Sequence, residues 1–138
     1  MDRDQNSRPG REGESGSNGS KHRVAVVGCG NVGRFSAQAV LASNDMELAG
    51  IVRRQRSLAS PLPPELAGVP VASSVEELGV VEAAILAVPT RQVPGFAEEI
   101  LRRGTNTVDS YDIHGELVEV KNRLHAIAKE SGSVAIVS

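Results

Sequence analysis

Apolar positions from residue 23 onward fall into two alternating patterns. The first is a short, nearly continuous run of aliphatic and β-branched residues: Arg23 to Val27 (RVAVV), Met46 to Val52 and Ala83 to Val88 (AAILAV). Runs of this length and composition predict strands buried on both faces of a parallel sheet. The second is a helical spacing. A helix is expected from Asn31 to Ala42, and Val93, Phe96, Ala97, Ile100 and Leu101 mark another, stopped by Gly104 after the basic last turn of Arg102 and Arg103. Leu117, Val120, Leu124 and Ile127 line one face of a third helix ending near Gly132. Val69 to Val71, Thr107 to Asp109 and Val134 to Val137 read as further strands, and Pro61, Pro63 and Pro64 as a loop. Ser74 and Glu77 have the spacing of a capping box that starts a short helix. Strands alternating with helices in this order predict an α/β fold, an open, doubly wound parallel sheet of the Rossmann type.

Residues 1–21 do not share these patterns. The first twenty contain no apolar residue after Met1 and are rich in Gly, Ser and charge, so a disordered tail is expected ahead of a single domain over residues 22–138. A chain of 138 residues that is 40% hydrophobic and 23% charged suits one globular domain with one core. The net charge of −2 and the absence of a long Lys/Arg run argue against a nucleic acid or anionic membrane as partner. No apolar stretch reaches the length of a membrane span, and the N-terminus lacks a signal peptide's apolar core. The single cysteine, Cys29, excludes an intramolecular disulfide and a Cys-only zinc site, which fits a reducing, cytoplasmic compartment. The three histidines show no metal-ligand spacing, and one Tyr, two Phe and no Trp offer no aromatic platform for bases.

Doubly wound sheets bind ligands beyond the carboxyl ends of their strands, so candidate chemistry is sought there. After the first strand comes GCGNVG, a G-x-G-x-x-G fingerprint between a predicted strand and a predicted helix. Gly28 permits the tight turn, Gly30 lets a pyrophosphate reach the backbone, and Gly33 allows close helix–strand packing, while the N–H groups at Asn31 and Val32 face the anion. After the second strand, the place where an Asp or Glu would bind the ribose 2′-hydroxyl of NAD is taken by Arg53 and Arg54. A guanidinium can fork onto a 2′-phosphate, so NADP(H) is the expected cofactor; the alternative is a solvated basic loop. Val88, Pro89 and Thr90 either line the nicotinamide ribose or merely end the strand and cap the next helix. After the fifth strand, Asp109 and Asp112 of VDSYDIH are placed to face the cleft and bind a substrate ammonium group. For Asp112 the structural alternative is an Asx-turn or a cap on a helix beginning near Gly115. His114 and Cys29 are read as structural.

VAVVGCGNVGR, DMELAGIVRR, TVDSYDIHGE and SGSVAIVS together resemble the N-terminal domain of meso-diaminopimelate dehydrogenases over roughly residues 22 to 138. The resemblance implies reversible, NADP-dependent oxidative deamination of the D-configured centre of meso-diaminopimelate to L-2-amino-6-oxopimelate, in lysine biosynthesis. It also implies that Gly28, Gly30 and Gly33 hold the pyrophosphate, that Arg53 and Arg54 hold the 2′-phosphate, and that Asp109 and Asp112 face the substrate amino group. Arg53 departs from a serine common in that family. The family's Gly-Trp-Asp-Pro-Gly segment and its substrate and dimerisation domain have no counterpart here, so the chain alone is expected to be inactive until the missing half is supplied, in cis or as a second polypeptide; a second polypeptide or a homodimer is the expected protein partner. A reading of a different class is a non-catalytic NADP-binding subunit or redox-sensing module.

Overall fold

The computed structural model describes residues 21–137, so the expected tail lies outside the described residues except for Lys21. Six strands form one sheet: β1 (His22–Val27), β2 (Met46–Val52), β3 (Val71–Ala72), β4 (Ala83–Leu86), β5 (Asn106–Asp109) and β6 (Ala135–Val137). Their order is β3-β2-β1-β4-β5-β6, and every pairing is parallel. Alternation along β1 divides the core. Val24 and Val26 pack with Ala37 and Val40 of α1 (Asn31–Ala42), whereas Ala25 and Val27 join Ala97, Leu101, Leu124 and Ile127 of α2 (Val93–Arg102) and α3 (Leu117–Ser131). Both faces of β1 are therefore dry, which is why its sequence reads as an unbroken apolar run. Leu101 and Leu124 have no exposed surface; burial of each contributes about 1.5–3 kcal/mol relative to exposure. The cover is incomplete over the last two strands. Val108 pairs in register with Ile85 on one side and Ile136 on the other, and on the α1 face Val108 and Ile136 are 38% and 53% exposed.

The two connections that flank β3 depart from the expected pattern. Neither holds an α-helix; they contain 3-10 turns at Gln55–Ser57, Pro64–Leu66 and Val75–Leu78. Proline supplies no N–H donor, and Pro64 occupies the first turn of its segment, the one helical position that tolerates it. β3 starts two residues and ends one residue later than the short strand expected at Val69 to Val71. The capping box is also displaced. Ser74 makes no side-chain cap; the Glu77 carboxylate instead accepts from the backbone N–H and hydroxyl of Ser73, at 2.9 and 3.0 Å. β4 ends at Leu86, two residues before the expected Val88, although the Ala87 N–H still bonds to Val27 O at 2.8 Å. α3 begins at Leu117 after a 3-10 turn rather than near Gly115, and it stops at Gly132, whose φ of 70° is left-handed.

Successive strands run outward from β1 in one direction and from β4 in the other. The carboxyl ends of β1 and β4 thus flank a topological switch point, where an open sheet leaves a crevice.

Candidate functional site: a cleft at the switch point

The crevice is a cleft of about 360 Å³, within the size range of small-molecule sites. Three chain segments wall it. The first is the glycine loop. Gly28 leaves β1 with φ +103°, and a Cβ there would strike the carbonyl oxygen of Ala87. Its N–H is tied to Val52 O at 2.9 Å, which brings the ends of β1 and β2 together. A Cβ on Gly33 would strike the carbonyl of Gly28, so loop and helix touch backbone to backbone. Gly30 is different: at the N-cap of α1 its absent Cβ would meet no atom within 4 Å.

That openness adjoins a bare helix end. No side chain caps α1, and its first turn carries no acidic residue. The early N–H groups of a helix lack intrahelical partners, and the macrodipole adds positive potential. The backbone at Asn31 and Val32 therefore suits an anion approaching past Gly30. The Val32 side chain is 64% exposed and does not line the cleft.

The second wall is the end of β2 and its sequel: Val52, Arg53, Arg54 and Ser57, with Ser73 from beyond β3. Arg54 is exposed, while Arg53 is half-buried and donates from Nη1 to the Ser60 carbonyl at 2.8 Å. Among the described residues lining the cleft there is no carboxylate, and Arg53 and Arg54 are the charged ones. The third wall is Ala87, Val88, Pro89, Gln92 and Phe96. Cys29 lines the cleft and also packs against the α1-side core.

Thr90, Asp109 and Asp112 lie off the cleft and form a connected group beside it. The Thr90 hydroxyl accepts the Asp112 N–H at 3.1 Å, joining the loops after β4 and β5. Thr90 thus neither lines the cleft nor caps a helix with its side chain. Asp109 is 4% exposed, and its Oδ1 accepts the Tyr111 N–H at 2.9 Å, so the aspartate turn falls here rather than at Asp112. Loss of solvation on burial raises the Asp109 pKa, partly offset by that N–H. The Tyr111 hydroxyl donates to Glu116 Oε1 at 2.6 Å. Asp112 points outward as an exposed residue and makes no side-chain helix cap.

The structure thus assembles Gly28, Gly30, Arg53, Arg54, Val88 and Pro89 around one space and sets Gly33, Asn31 and Val32 in the helix start behind it. Ser57, Ser73, Gln92 and Phe96 were not foreseen. Ser73 follows a strand end and obeys the same rule as the others, but β3 is too short to announce itself. Gln92 and Phe96 enter through the start of α2. Among the described residues no cluster of His, Cys, Asp and Glu suits a metal, and no helix is long and apolar enough to cross a membrane.

A profile described as an oxidoreductase family with an NAD-binding Rossmann fold matches residues 22–137. A meso-diaminopimelate D-dehydrogenase of Bacteroides fragilis is 48% identical over 118 residues, which are 86% of this chain and 39% of that protein. Among solved structures, an engineered D-amino acid dehydrogenase bound to NADP+ superposes with a TM-score of 0.72 at 28% identity, over 86% of this chain and 36% of the other. The diaminopimelate dehydrogenase of Corynebacterium glutamicum in complex with diaminopimelate superposes with a TM-score of 0.70 at 27% identity, over 84% and 35%. The chain therefore spans well under half the length of these relatives.

Proposed function

Because the chain belongs to the oxidoreductase family with an NAD-binding Rossmann fold, we propose that residues 22–138 form the NADP(H)-holding part of a diaminopimelate-dehydrogenase-like enzyme. One observation carries the choice of cofactor: among the described residues the charged side chains lining the cleft are Arg53 and Arg54, at the strand end where an acid would select NAD, and none of the lining residues is acidic. The pyrophosphate lies over Gly30, against the N–H groups at the start of α1. Arg54, exposed and with no side-chain bond to the other described residues, grips the 2′-phosphate. Arg53 supports it from the half-buried position fixed by Ser60. Val88 and Pro89 line the nicotinamide side, where the bound cofactor supplies hydride acceptance and return. Thr90 acts indirectly, by holding the loop after β5 through the Asp112 N–H.

The relatives support a substrate class. The reaction is the reversible oxidative deamination of meso-diaminopimelate, a step of lysine biosynthesis, and Asp109 binds the reacting ammonium group. A carboxylate short of solvent gains more from a cation than one already well hydrated, which suits Asp109 to that task. Asp112, at the exposed rim, is the secondary contact. Groups that hold the far end of the substrate come from a unit outside residues 22–138.

Calorimetric titration of the chain with NADP+ and NAD+ tests the reading. NADP+ is expected to bind more tightly, and Arg54→Ala to weaken NADP+ about tenfold, the worth of one charge-assisted hydrogen bond, while sparing NAD+. Equal affinities in the parent chain would refute it.

A further inference from the structure

Between β2 and β3 the chain runs from Arg53 to Pro70 with no strand or α-helix, only two 3-10 turns, yet it carries Arg54 and Ser57 into the cleft. A connection without a ladder of its own keeps one conformation only through tethers. Three are present. Arg53 reaches the Ser60 carbonyl, folding the first half back on its start. Leu66, with no exposed surface, is buried in the cluster that holds Ala37 and Val40 of α1. Between these, Glu65 Oε2 accepts from Arg34 Nε at 2.5 Å and from Gln38 Nε2 at 2.8 Å, and Arg34 Nη2 closes on the same oxygen. Arg34 directly follows the third glycine of the fingerprint, and Gln38 lies one turn further along α1.

We propose that Arg34, Glu65 and Gln38 form a latch that sets the spacing between the helix end receiving the pyrophosphate and the loop receiving the 2′-phosphate, and so act as positioning residues for NADP over NAD. The inference rests on the assignment of the cleft to NADP(H). The two phosphate groups of one adenosine are a fixed reach apart, so a loop that drifts from α1 presents Arg54 at the wrong distance. NAD, lacking the 2′-phosphate, does not sense the drift. The Arg34 guanidinium is turned onto Glu65 with two nitrogens, which makes it a brace rather than a phosphate ligand.

Dissociation constants for NADP+ and NAD+ are measured by calorimetry on the parent chain, Glu65→Gln and Arg34→Lys. The pair is partly exposed, with side chains 42% and 32% accessible, so each variant is expected to fold and to bind NADP+ about two- to fivefold more weakly. NAD+ affinity is expected to stay unchanged, and Arg34→Lys should match Glu65→Gln because a lysine keeps the charge but loses the fork. Equal weakening for both cofactors would reduce the latch to a general structural role and overturn the proposal. Tighter NADP+ binding by Glu65→Gln would overturn it differently, by showing that a released Arg34 grips the phosphate itself. A parent chain without NADP preference would instead overturn the underlying assignment, and the latch with it.

Discussion

Gly30→Ala separates the fold of the glycine loop from its use. Gly30 sits at φ −80° and ψ −160°, a backbone any L-residue adopts, and the added methyl meets nothing within 4 Å. In the absence of ligand the loss of unfolded-state freedom stabilises by about 0.4–1 kcal/mol, and because Gly30 is the N-cap of α1, where alanine is a poorer cap than glycine, a penalty of similar size offsets it. For a domain of this size the balance leaves Tm within about 2–4 °C of the parent. The same methyl stands where a pyrophosphate would approach the start of α1. Displacing the phosphate from one or two N–H donors loses about 1.5–3 kcal/mol, the worth of hydrogen bonds to a charged group. That corresponds to about 10- to 150-fold in affinity. Differential scanning fluorimetry and calorimetric titration with NADP+ read the two effects separately. Gly33→Ala is the contrasting case. Its methyl meets the Gly28 carbonyl, and because neither backbone atom can rotate away, overpacking near the upper end of about 1–3 kcal/mol outweighs the roughly 1 kcal/mol gained by replacing a helical glycine. Gly30→Ala with parent-like affinity would refute the argument, as would a variant that melts several degrees below the parent.

Two further outcomes follow from the group beside the cleft. Asp109 has a folded-state pKa raised by burial, so its contribution to stability is fully present below the unfolded pKa and is lost as pH rises through the folded one. Asp109→Asn keeps the acceptor for the Tyr111 N–H and removes the buried charge, so at pH 7 it should melt above the parent, with the gap closing in acid; a gap that widens as pH falls would contradict the assignment. Tyr111→Phe removes the 2.6 Å bond to Glu116 and should cost about 0.5–1.5 kcal/mol in urea denaturation, whereas an unchanged midpoint would show that the pair contributes nothing.

Local physics made much of this protein legible in its residues. An apolar run dry on both faces, a glycine fingerprint placed between strand and helix, and a 3.6-residue period are short-range patterns, and β1, α1, β2, α2 and α3 followed them closely. The arginines after β2 were also readable, because the end of a parallel strand is a fixed address for ligand contact. Tertiary structure decided what depends on pairs distant in the chain. The two-residue β3 pairs only with β2; Ser73, just past its end, lines the cleft and takes the Glu77 carboxylate that the expected cap would have used. Asp109 and Asp112 were both expected at the cleft, Asp112 with a turn or cap as its alternative, but alternation along β5 buries the first while the loop turns the second outward. Glu65 belongs to no pattern in the sequence; its partners Arg34 and Gln38 stand 31 and 27 positions away. No local period records such a pairing, because it is created only when α1 packs on the face of the sheet and brings the loop within reach.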